Sequence, residues 1–158
     1  MSLDSYNKAL ELFNKNKDMC HFAGGRTEEL ICLSEEAIGY KFSPIYRDFI
    51  KKFGAGNFGS QEVYGVIDED FVNSSVPDAI WYSLTEREKI NLPENLLVIY
   101  DTGGEELFCL DFSNLNKMNE PKVVSFISGQ PLSAQRNETV ANDFGDFLLD
   151  LVTKEIED

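Results

Sequence analysis

The chain has 158 residues and a formal net charge of −14; it is 42% hydrophobic and 12% aromatic, with 11 Gly and 5 Pro. That balance supplies a packed core and excludes the disordered and collagen-like classes. One domain, residues 1–158, is expected at this length, and the longest unbroken apolar run, Leu96 to Tyr100, is far shorter than the ~20 residues that cross a bilayer.

In chain order, SLDSYNKALELFNKNK places Leu3, Tyr6, Leu10 and Phe13 at spacings of three and four, the stripe of an amphipathic helix. Its start carries Asp4 and lacks a basic stretch followed by an apolar one, so it does not read as a secretory signal. MCHFAGGRT breaks the periodicity, and Thr27 is placed to cap a second helix with Glu28 and Glu29 in its first turn, ending at Gly39. Ser43-Pro44 starts a third helix, the serine as cap and the proline where no amide is needed. Ile45, Tyr46, Phe49, Ile50 and Phe53 form its apolar face.

The next six residues, GAGNFG at Gly54 to Gly59, spell G-x-G-x-x-G. A dinucleotide site needs a strand before these glycines and a helix after them. Here a helix precedes and the strand-like SQEVYGVID follows. The glycines are therefore read as a helix stop and turn residues, and no cofactor is expected.

Beyond the acidic run Asp68-Glu69-Asp70, Pro77 introduces a fourth helix, DAIWYSLTEREKIN, with Ile80, Trp81 and Leu84 inward. LLVIYD, TGG and EELFCLDF read as strand, turn and strand, apolar on both faces, and PKVVSFIS as a further strand. TVANDFGDFLLDLVTKEIED reads as a closing helix with Val140, Phe144, Phe147, Leu148, Leu151 and Val152 on its apolar face. The predicted class is α+β, a single domain with a central, mostly antiparallel or mixed sheet against which N-terminal helices and a C-terminal helix pack.

Candidate chemistry is sparse. The single histidine, His21, neighbours Cys20, but adjacent residues of an extended chain face opposite ways. Cys20, Cys32 and Cys109 are an odd number without a C-x-x-C pair, which suits a reducing compartment; we expect a cytoplasmic protein. No zinc motif occurs, and a calcium loop begun by Asp68 and Asp70 fails at Val72 and Asn73. Residues 1–52 are charge-balanced, so the whole of the −14 lies in residues 53–158. Such a surface disfavours nucleic acid and attracts a basic protein. A binding protein is expected, not an enzyme.

FSPIYRDFIKKFGAG resembles the Leu-Pro-x-x-Tyr-x-x-Phe-Leu segment and glycine turn of the SUKH superfamily, the Smi/Knr or cell-wall-assembly-regulator type, with Phe42, Tyr46, Phe49, Ile50 and Gly54 in matching places and the proline shifted to Pro44. LLVIYDTGGEELFCLDFS and VANDFGDFLLDLV resemble its strand, Gly-Gly turn and strand, and its closing helix. The likeness covers residues 27–152. It implies a mixed α+β fold and, as in many bacterial members, an immunity protein that neutralises a cognate basic toxin domain, often a nuclease; fungal members are linked instead to cell-wall regulation. No membrane partner is implied, and the oligomeric state is left open. The acids expected to furnish part of a toxin-facing surface are Asp68, Glu69, Asp70, Asp101, Glu105 and Glu106, which cluster at turns or strand edges.

Overall fold

The computed structural model describes residues 2–158. Helix α1, Ser2–Lys15, buries Tyr6 and Phe13 as its spacing predicts, but Ala9 completes the buried stripe and Leu3 stays 58% exposed. A 3-10 turn at Lys17–Met19 leads to strand β1, Cys20–Phe22, which the broken periodicity had hidden.

Helix α2, Glu28–Ile38, is capped as expected: Thr27 Oγ1 accepts the Leu30 amide at 3.1 Å, and Gly39 ends the helix at φ 87°. Helix α3, Pro44–Phe53, buries Ile45, Tyr46, Phe49 and Ile50. Its start departs from expectation, since the Ser43 hydroxyl accepts no cap bond. Buried Glu120 lies there instead, against Ser43 and the Ile45 amide. Burial raises the Glu120 pKa despite those two contacts, because a desolvated carboxylate is costly to ionise.

Strands β2, Gly56–Phe58, and β3, Gln61–Val63, join β1 in one antiparallel sheet of order β1-β2-β3. Helix α4 spans Ala79–Ile90. Its buried positions are Ala79, Ile80 and Ser83, whereas Trp81 and Leu84 are only half-buried. Trp81 Nε1 is used instead to hold the Val72 carbonyl at 3.1 Å.

Strands β4, Leu96–Asp101, β5, Glu106–Leu115, β6, Pro121–Ile127, and β7, Thr139–Ala141, form a second antiparallel sheet in that order. The apolar β4–β5 pair is confirmed, with β5 interior and β4 at the edge, where Ile99 O accepts the Tyr64 amide at 2.9 Å. Helix α5, Phe144–Glu157, begins later than the sequence suggests. Asp143 accepts the Asp146 amide at 2.9 Å as its cap, so Val140 falls in β7 and is 39% exposed. The β-branched residue before an Asx cap suits a strand better than a helix's first turn.

Phe108 on one face of β5 meets Phe147 of α5 at 6.0 Å, while α4 packs beside β4 and its Tyr82 is close to Tyr64 at 5.5 Å. Helix α1 lies along α5. Phe13, Phe22, Phe53 and Phe58 then fill the space between α1, α3 and the three-stranded sheet. The strands thus divide into two sheets within one α+β body.

Candidate functional site

GAGNFG is closed on itself. Gly54 ends α3 at φ 74°, and a Cβ there would lie 2.4 Å from the Gly24 carbonyl; at Gly56, inside β2, it would lie 2.3 Å from the His21 carbonyl. These glycines let neighbouring backbone approach. The last turn, Gly59-Ser60, does hold an anion, but it is the protein's own: Glu155 of α5 accepts the Ser60 amide at 2.7 Å and its hydroxyl at 2.9 Å. Those bonds lower the Glu155 pKa, the backbone one most.

The thiols and the imidazole stay apart. Exposed His21 lies opposite Asn57 on β1, while Cys20 Sγ turns back to the Phe13 and Asn16 carbonyls at 3.6 and 3.7 Å. Cys109 is fully buried, which pushes its pKa up and keeps it protonated. Among the described residues no group of acids, histidines and cysteines is arranged to hold a metal ion.

The acids fall into three places. Asp68, Glu69 and Asp70 are exposed after β3; Asp68 accepts the Asp70 amide at 3.0 Å, and Asp70 the Val72 and Asn73 amides. Asp101, at the end of β4, couples with Glu62 and Glu86. Burial raises both of those carboxyl groups, and the nearby Asp101 charge raises them further. Burial likewise pushes Tyr82 up to about 12, with Glu86 and Asp101 adding to it. Glu105 is exposed in the β4–β5 turn beside Gly129, whereas Glu106 accepts the Ser125 hydroxyl at 2.5 Å.

The six predicted acids are therefore not one cluster, and Glu62 and Glu86 were missed. Nothing local marks Glu62; Tyr82 and Glu86, four apart on α4, were the one available signal. None of the acids from Asp68 to Glu138 enters an ion pair among the described residues. The ion pairs sit elsewhere, Arg47 with Glu28 and Glu35, Lys51 with Glu28, Lys52 with Asp48 and Lys154 with Asp150.

The sequence matches the SUKH_5 family, described as SMI1-KNR4 cell-wall, over residues 4–153. The chain belongs to this family. No curated protein matches it. In this SUKH_5 protein the aromatic segment of α3 is structural: Tyr46 stacks edge-on against Phe42 and Phe144 and donates its hydroxyl to the Tyr64 carbonyl at 2.8 Å. Phe49 packs on Phe22, Phe53 and Phe144. The residues that carry the family likeness hold the core. Among the described residues no helix is long and apolar enough to cross a membrane.

Proposed function

We propose that this protein works without catalysis, as a cytoplasmic immunity protein that binds and neutralises a cognate basic toxin domain. The observation that supports the reading is the unbalanced acid of residues 68–138, which among the described residues enters no ion pair, while Arg47, Lys51 and Lys52 of α3 and Lys154 of α5 are engaged locally. A toxin that handles phosphate, such as a nuclease, presents a basic cleft; an acidic domain speeds encounter with it and can occupy it.

The test is co-expression with toxin domains encoded beside the gene. Growth rescue is expected, and reversing Asp68, Glu69 and Asp70 to Lys should slow association and flatten its salt dependence. Rescue with unchanged association kinetics would remove these acids from the contact. Turnover that vanishes in His21→Ala would replace the binding reading with an enzymatic one. The family's description, SMI1-KNR4 cell-wall, favours a second reading, an intracellular scaffold of the cell-wall-regulator type. A pull-down would then recover several endogenous partners and no toxin.

A further inference from the structure

The cleft between α2 and the segment after β3 joins an apolar lining to acids, with no cation among its lining residues. Leu30 and Leu33 of α2 and Ile67 form an apolar floor, Glu29, Asp68 and Glu69 stand at the rim, and the volume is 340 Å³. Leu33 is 43% exposed, outside the core. Among the described residues none of the three rim acids is in an ion pair. The cations nearby are committed elsewhere: Arg47 and Lys51 to Glu28, and Arg26 to the Val66 carbonyl at 3.1 Å.

Three other cavities each carry a cation in their lining. The larger groove beside α5, 650 Å³, has Asp150 neutralised by Lys154 at 2.9 Å. The pocket around Glu106 mixes both signs through Arg136 and Glu138. The pocket at Cys32 includes Lys41 beside its acids.

The geometry points to the α2 cleft as the docking site for a segment of a basic protein that presents one apolar side chain flanked by Lys or Arg. Unpaired acids around an apolar floor match that chemistry: the charges draw the segment in, and the inserted side chain lengthens its stay. A second copy of this chain is disfavoured, because it brings −14 against −14. Nucleic acid and anionic lipid are repelled by the same rim. The assignment rests on the chain being a protein-binding module and names the surface used.

The probe is the peptide Lys-Lys-Leu-Phe-Lys-Lys titrated into 15N-labelled full-length protein, with Lys-Lys-Ser-Ser-Lys-Lys as its comparison. Amide shifts are expected at Leu30, Leu33, Ile67 and Asp68 with the first peptide, and much weaker binding of the second. Leu33→Ser should weaken the first about tenfold, as should Glu69→Lys, while Leu115→Ser, on the exposed end of β5, leaves it unchanged. Equal affinity for the two peptides, or shifts spread evenly over Glu105, Glu106 and Glu138, overturns the cleft. Growth rescue that survives Leu33→Ser together with Glu69→Lys also overturns it while sparing the toxin reading. Peptide docking in the cleft without rescue by the parent protein sinks the toxin reading alone.

Discussion

The Tyr46 hydroxyl illustrates how one buried donor fixes a neighbour: with Tyr46 fully buried, its 2.8 Å bond is what Tyr64 O has in place of water. Tyr46→Phe keeps the ring contacts and strands that acceptor, so urea unfolding should show a loss of about 1–3 kcal/mol with an unchanged slope. Asp78 does comparable work at the start of α4, accepting the Ile80 and Trp81 amides at 3.0 and 3.1 Å and the Ser74 hydroxyl at 3.0 Å while wholly buried. Asp78→Ala should cost about 2 kcal/mol. Asp78→Asn, which retains a carbonyl oxygen, should cost less in the same assay; equal losses would show that the acceptor atom is not what matters.

The three-stranded sheet depends on close backbone approach at Gly56, whose φ is 146° and whose missing Cβ leaves room for the His21 carbonyl. Gly56→Ala should separate β1 from β2 and destabilise the protein by about 2 kcal/mol or more, with faster amide exchange at residues 20–22 as the local sign. Gly39→Ala, at a position with open space around it, should cost less, about 1 kcal/mol. Elements of this kind mark where sequence reasoning stops. Helices α2 and α3 were legible because Thr27, Gly39, Pro44 and a 3.6-residue apolar repeat are local signals. Strands β1 and β2 have three residues each and exist through their register, Phe22 opposite Gly56, a relation that no short window contains. Val140 was read into α5 because its spacing to Phe144 suits a helix, although Asp143 already supplied the start. The acid grouping was hidden for the same reason: Glu62, Glu86 and Asp101 come from β3, α4 and β4.

For the whole molecule four buried or half-buried acids set an unusual response to pH. Burial raises Asp78, Glu62, Glu86 and Glu120, with Asp101 adding to Glu62 and Glu86 and Asp143 to Glu120. Their folded pKa values lie above the unfolded ones, so the folded state takes up protons first. The stability they contribute is complete below the ordinary carboxylate range and is lost as pH rises through the raised values. Glu28, lowered chiefly by Lys51 and Arg47, and Glu155, lowered by Ser60, act oppositely and lose their contribution as pH falls through values below that range. Going from about pH 7 to about pH 5 therefore engages the raised set first, and it begins to relieve the repulsion within a chain of charge −14. The urea midpoint should be higher at the lower pH; a midpoint that falls throughout this interval would contradict the desolvation of those four groups. One further trait of the whole molecule concerns its assembly on the ribosome. Because α1 rests along α5, and Glu155 closes the Ser60 turn, the opening helix finds its chief support only once the final helix has emerged. Nascent chains stalled before residue 144 should thus remain protease-sensitive and recruit chaperones, since α1 then lacks its partner α5 and keeps its contacts to Phe22, Phe53 and Phe58.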